Sequence, residues 1–116
     1  MMFSDTAAVR VFLAPGVTEM RKSFNGLYTL VRGALQGDPL SGHLFVFCNR
    51  RRDRIKILCW DGSGLWVCAK RLEKGTFRRP QPGDESIELT QFELNLLLAG
   101  IDLRDCRKRR WLRKVS

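Results

Sequence analysis

Arg50-Arg51-Arg52, followed at once by Asp53-Arg54 and then Lys56, concentrates positive charge within the stretch CNRRRDRIKILCWDGSGLW at residues 48–66. A guanidinium presents a fixed fork of N–H donors that fits phosphate oxygens, and each neutralised phosphate releases condensed counterions. A second stretch, KRLEKGTFRRP at residues 70–80, adds Lys70, Arg71, Lys74, Arg78 and Arg79, while Arg21 and Lys22 make a third basic pair. Near the C-terminus, Arg107-Lys108-Arg109-Arg110-Trp111-Leu112-Arg113-Lys114 joins Arg109, Arg110 and their neighbours to an indole that can stack on a base. The chemistry these groups offer is capture of a polyanion. The ordinary alternative is a set of solvated turn residues that keep the chain soluble. Three arginines in a row, with Asp53 as the neighbouring acid, exceed that need, so nucleic-acid contact is the favoured reading. For the C-terminal run a merely charged end stands beside it. Trp60 and Trp66 flank a second turn and are read first as sheet-face or core residues.

Catalysis needs groups that this chain does not gather. Metal-dependent strand transfer uses clustered carboxylates, because attacking and leaving oxygens both need charge stabilisation. Here Asp53 and Asp61 fall in turns, Asp84, Glu85 and Glu88 lie in or near a loop, and Glu93 has a capping role. Neither GxxxxGK[ST] nor GxSxG occurs, and His43 beside Gly42 reads as a strand-start residue. Cys48, Cys59, Cys68 and Cys106 form no CxxC pair; the first three read as small apolar strand residues, reduced in the cytosol. The expectation is a non-enzyme with no cofactor and no metal.

The elements that must position the basic groups follow from patterning. AVRVFL, Ala8 to Leu13, alternates as a first strand and ends at Ala14-Pro15-Gly16. Ser23 is placed to cap a helix whose Phe24, Leu27, Tyr28, Val31 and Leu35 recur at helical spacing; Gly33 weakens it and Gly37-Asp38-Pro39 stops it. Leu44–Cys48, Ile55–Trp60 and Leu65–Arg71 read as a three-stranded meander, joined by the arginine turn and by Asp61-Gly62-Ser63-Gly64. Leu44-Phe45-Val46-Phe47 is apolar on both faces, so both faces of the sheet need covers. Pro80-Gln81-Pro82-Gly83 is a stiff link. Thr90 and Glu93 then form a capping box, bracketed by Leu89 and Leu94, before a helix whose stripe is Leu94, Leu97, Leu98 and Ile101 and whose end is Gly100. The expected fold class is α+β: a mainly antiparallel sheet of about four strands, one early strand plus the meander, with one helix over each open face. Residues 1–103 make a single domain and residues 104–116 a basic mobile tail.

Charge distribution supports a polyanionic partner. The net charge of +9 divides into +8 over residues 1–81, −5 over residues 82–103 and +6 over residues 104–116. No apolar run reaches the roughly 20 residues that cross a bilayer, and Met1-Met2-Phe3-Ser4-Asp5 lacks a signal pattern, so no membrane partner is expected and the default location is cytoplasmic.

FLAPGVTEMRKSFNGL (12–27), LFVFCNRRRDRIKILCWDGSGLWV (44–67), KRLEKGTFRRP (70–80) and LTQFELNLLLAGID (89–102) together resemble, in the same order, one family. It is the small accessory protein of bacterial insertion sequences of the type numbered sixty-six, often called TnpB or the second-reading-frame product. The much larger RNA-guided nuclease that shares the TnpB label is a different protein. The resemblance implies a protein encoded beside a transposase, needed for efficient transposition, with no known catalytic role and with the transposase and other proteins of the element as partners. Positions that match the family's recurring segments are Met20-Arg21-Lys22, Asn49-Arg50-Arg51, Asp53-Arg54, Lys56, Trp60-Asp61, Lys70-Arg71-Leu72-Glu73-Lys74-Gly75 and Phe77-Arg78. Arg79 and Cys68-Ala69 depart from it, standing where aromatic residues are usual.

Two function classes therefore compete. One is an accessory factor that binds DNA phosphates through the basic hairpin and assists the transposase. The other is an adaptor that docks the transposase through the acidic segment Asp84–Asp102 and its amphipathic helix. RNA stands as a variant of the first, since arginine clusters do not distinguish the sugars. Four to six phosphate contacts would give a log–log salt slope of about −4 to −5.

Overall fold

A computed structural model describes residues 9–77 and 87–99 of the chain. Five strands and two helices follow in the order β1 (Val11–Leu13), α1 (Phe24–Arg32), β2 (Leu44–Cys48), β3 (Arg54–Trp60), β4 (Leu65–Arg71), β5 (Ile87–Leu89) and α2 (Gln91–Leu98). They form one mixed sheet in the spatial order β4-β3-β2-β1-β5. The arrangement is α+β, and its three-stranded meander is antiparallel throughout, Phe45 opposite Leu58 and Ile57 opposite Cys68.

Two features lie beyond the sequence pattern. β1 runs parallel to β2, Val11 beside Leu44, because α1 intervenes and carries the chain back to the starting edge. β5 is a fifth strand, antiparallel to β1 with Leu89 opposite Val11, beside the early strand and meander that the expected sheet of about four strands comprised. Only three residues long, it is the lead-in to α2 that the capping box obscures in the sequence. Its pairing is reinforced by Arg10, whose Nη2 and Nε donate to the two Glu88 oxygens at 2.6 and 2.9 Å.

Because strand side chains alternate, the sheet buries both faces, as the apolar doublets of β2 require. On one face Val11, Leu13, Leu44, Val46, Ile55, Ile57 and Leu89 pack with Leu94 and Leu97 of α2 and with Phe77. On the other, Phe45, Phe47 and Leu58 pack with Leu27 and Val31 of α1. One helix thus covers each face.

The helices differ in how they begin. Thr90 accepts from the Glu93 N–H at 3.0 Å and Glu93 accepts from the Thr90 N–H at 2.9 Å, so the capping box is complete. In α2, Leu96 is buried beside Leu94 and Leu97, and Leu98 is partly buried, so the apolar stripe is broader than the spacing predicts; Gly100 and Ile101 lie outside the described residues. Ser23 holds the cap position of α1 but makes no side-chain capping bond, and α1 ends at Arg32 rather than running on to Gly37. Among the described residues no helix is long and apolar enough to cross a membrane.

Candidate nucleic-acid interface

The turn between β2 and β3 is built by one side chain. Asn49 Oδ1 accepts from the Asp53 and Arg54 N–H groups at 3.1 and 3.0 Å, and its Nδ2 donates to Asp53 Oδ1 at 2.7 Å. The Arg52 N–H donates to the Asn49 carbonyl at 3.1 Å, which closes the loop. Arg52 itself sits at φ 59°, a left-handed conformation that suits glycine and strains a branched or long side chain. The segment after β4 then clamps the turn from behind: the Leu72 N–H reaches the Asp53 carbonyl at 2.7 Å and the Phe77 N–H reaches the Arg52 carbonyl at 2.6 Å. Phe77 is fully buried, so the clamp is anchored in the core. The two basic stretches of the sequence are therefore neighbours, joined through backbone.

A concave depression of about 540 Å³ opens beside this turn, lined by Val17, Thr18, Glu19, Met20, Asn49, Arg50, Arg51, Asp53 and Arg54. Its far wall comes from the chain after β1, which continues alongside β2 because the Thr18 N–H donates to the Cys48 carbonyl at 2.8 Å. A second depression of about 420 Å³ shares Met20 and Arg54 with the first and continues along Ile55, Lys56, Ala69, Lys70 and Arg71. The two depressions, which share Met20 and Arg54 in their lining, make one groove with Arg50, Arg51, Lys56 and Arg71 along it.

The acids in the groove are already engaged. Glu19 accepts from the Arg21 N–H at 3.0 Å and pairs with Arg21 Nε at 3.5 Å, and these contacts hold its carboxyl below the ordinary carboxylate range. Asp53 is likewise held down, first by the Asn49 amide and then by its own backbone N–H and by Arg54 and Arg51. Among the described residues, the ion pairs are Arg10–Glu88, Arg21–Glu19 and Arg71–Glu73, so Arg50, Arg51, Arg52 and Arg54 take part in none. Arg54 stands directly across from Arg71 in the ladder, a like-charge pairing that opposes sheet formation. Glu73 offsets part of it through Arg71, at 3.1 Å.

Strand alternation sorts the other candidates. Arg54, Lys56 and Arg71 project to the α1 side, and Lys56 Nζ donates to the Lys22 carbonyl at 2.8 Å, fixing the Arg21-Lys22 segment beside the groove. Lys70 projects to the opposite side, where its Nζ donates to the Leu98 carbonyl at 2.8 Å, at the C-terminus of α2. There it satisfies a helix-end acceptor and lies at the negative end of the helix dipole. The Lys70 ammonium is thus directed away from the cations with which the sequence groups it, although the residue also borders the second depression. Lys74 is exposed in the turn that clamps Arg52, whereas Arg78, Arg79, Arg109 and Arg110 lie outside the described residues.

The matched family model, described as IS66 Orf2 like protein, covers residues 9–108, which takes in the whole sheet, the arginine turn and both helices. The chain belongs to this family. That membership associates it with the transposition of insertion sequences of this type. It is also similar to a protein named "Uncharacterized protein y4jC" from Sinorhizobium fredii (strain NBRC 101917 / NGR234), 38% identical over 101 residues that span 87% of this chain and 86% of the relative. A second, "Uncharacterized protein y4hO" from the same strain, is 40% identical over 96 residues, 83% of this chain and 84% of the relative. No solved structure matches the chain.

Sequence reasoning passed over Asn49 and Met20 as site residues. Asn49 had a legible signal, an amide four positions before an aspartate across a turn. Met20 stood only within the matched segment Met20-Arg21-Lys22, and its place in the groove depends on the pairing of Thr18 with the end of β2. Trp66 is half exposed and donates to Asp61 Oδ2 at 2.6 Å, which makes it part of the second turn. Among the described residues, no group of three histidines, cysteines or carboxylates converges to hold a metal.

Proposed function

We propose that the chain is a non-catalytic accessory protein of transposition that binds DNA phosphates along this groove and assists the transposase of its element. The observation that carries the reading is the arginine turn: Arg50, Arg51 and Arg54 line one depression whose acids are occupied elsewhere. Such a surface repels itself in the absence of an anion and is relieved when phosphates enter. The contacts would position the protein on DNA without reading sequence, since phosphates carry none. Arg52, Lys22, Lys56, Lys74 and Arg71 extend the same basic edge, with Arg78, Arg79, Arg109 and Arg110 adding charge that the described residues do not place.

The adaptor reading draws less support. Of the acids in the segment, Glu88 is paired with Arg10 and Glu93 is used in the capping box, so neither offers a spare carboxylate to a partner. Fluorescence anisotropy of the protein with labelled duplexes, element ends against shuffled sequence, tests the proposal across a salt series. The expected log–log slope is about −4 to −5. A flat response, or no binding at low salt, overturns it and transfers the search to the α2 surface.

A further inference from the structure

Asp53 stands between Arg52 and Arg54, where a count of charge says that it should weaken the capture of an anion. Its contacts say otherwise. One carboxylate oxygen takes the Asn49 amide at 2.7 Å, and that amide oxygen in turn receives the N–H groups of residues 53 and 54. An asparagine amide has two chemically different ends. The carboxylate takes the N–H end and thereby aims the oxygen end at the backbone of the turn. The carbonyls of Arg52 and Asp53 are held from the other side by Phe77 and Leu72. The backbone that carries Arg50, Arg51, Arg52 and Arg54 is thus fixed before any ligand arrives, although these side chains repel one another.

We propose that Asp53 is a positioning residue of the phosphate-binding surface, an acid that strengthens anion capture because its clasp on Asn49 holds the arginines in a common array. The inference rests on the DNA-binding reading above and deepens it. A pre-arranged loop binds more tightly because less ordering remains to be done on association. Charge alone and the clasp make opposite forecasts for one substitution. Asp53→Ala removes a negative charge and the clasp together: the clasp forecasts a loss of affinity of roughly three- to tenfold, and charge alone forecasts a gain. Asp53→Asn removes the charge and keeps a side-chain carbonyl for the Asn49 amide, so it binds at least as well as wild type.

The test measures anisotropy on the full chain with a fluorescein-labelled DNA duplex of arbitrary sequence, for wild type, Asp53→Ala and Asp53→Asn across salt. The Asp53→Ala slope is expected to be shallower by about one for each phosphate contact that leaves the array, with Asp53→Asn restoring it. A general loss of structure would not restore the slope in this way, and thermal melting of each variant records the fold. Should Asp53→Ala fail to fold, Asn49→Asp is compared with the exchange Asn49→Asp/Asp53→Asn. The exchange keeps one carboxylate and one amide across the turn, and it must recover binding that Asn49→Asp loses. Affinity of Asp53→Ala equal to or above wild type, or no recovery by the exchange, overturns the clasp while leaving DNA binding intact. Failure of wild type to bind overturns both.

Discussion

The two hairpin turns at opposite ends of β3 use the same device for different ends. Each is organised by one short polar side chain that gathers backbone N–H groups. In the turn between β3 and β4, Asp61 Oδ1 accepts from the N–H groups of Ser63 and Gly64, both at 2.9 Å, and from the Ser63 hydroxyl at 3.1 Å; its second oxygen takes the Trp66 indole. The organiser there is the charge itself, and everything around it is neutral. In the turn between β2 and β3 the organiser is a neutral amide, the acid stands opposite it, and the cations face out. A carboxylate organiser at position 49 would sit beside Asp53 and repel it. The amide lets four arginines share a turn with one acid without the acid being consumed by an ion pair. What distinguishes a structural turn from a binding turn here is which charge is left unspent.

Removing the arginines should break the comparison most strongly. Arg50, Arg51 and Arg54 changed together to Ala are expected to lower DNA affinity by about a hundredfold at low salt and to make the salt slope shallower by roughly three. Stability should stay within about 0.5 kcal/mol of wild type, because these are exposed side chains that the fold does not use. Anisotropy and urea unfolding on the same samples check both halves. Unchanged affinity would show that the binding turn is no more functional than its counterpart.

The second turn should behave in the opposite way. Asp61→Ala is expected to lower the melting temperature by roughly a few degrees, with DNA affinity unaltered. The Asp61 carboxyl is held down to about 2 against an ordinary 3.8, chiefly by the Ser63 N–H, then by the Trp66 indole and the Gly64 N–H. Since the folded state depresses this value, the stabilisation is fully present above about pH 4 and is lost as pH falls toward about 2. The difference in melting temperature between wild type and Asp61→Ala should accordingly be constant between about pH 5 and pH 8 and shrink below about pH 4. A difference that persists undiminished at the acid end would show that the carboxylate charge is not what holds the turn.

The legibility of these parts in the sequence follows the range of the interactions. Short β-prone runs bounded by turn residues marked β2, β3 and β4, and Thr90-x-x-Glu93 marked the start of α2, because each signal is local. The doublets of β2 implied that both faces were covered, as Leu27 on one side and Leu97 on the other now show. β5 and the parallel β1–β2 pair were not legible, since Leu89 meets Val11 across most of the chain and three residues carry too little period to announce a strand. The candidate site was legible as a cluster of charge and illegible as a shape. Its composition is written in residues 50–56 and 70–74, whereas the groove needs the Thr18–Cys48 contact, and the clamp on the turn needs Phe77 to be in the core.

The smallest expected effect separates two residues that adjoin in sequence. Lys70 and Arg71 are consecutive in β4 and look equivalent in KRLEKG, yet alternation sends them to opposite faces of the sheet. Both border the second depression, but Arg71 lies on the face of Arg54 and Lys56, whereas Lys70 Nζ donates to the Leu98 carbonyl at the end of α2. Arg71→Ala should therefore weaken DNA binding by about two- to fivefold and relieve the like-charge pairing with Arg54, leaving stability level or slightly raised. Lys70→Met keeps the alkyl stem and removes the ammonium; it should lower stability by about 0.3–1 kcal/mol through loss of a charge at a helix C-terminus, with little change in affinity. The two variants carry the same change in net charge. A model in which DNA responds only to net charge requires them to bind alike, and the face model requires them to differ, so a single pair of salt titrations decides between a diffuse basic surface and a groove with one working side.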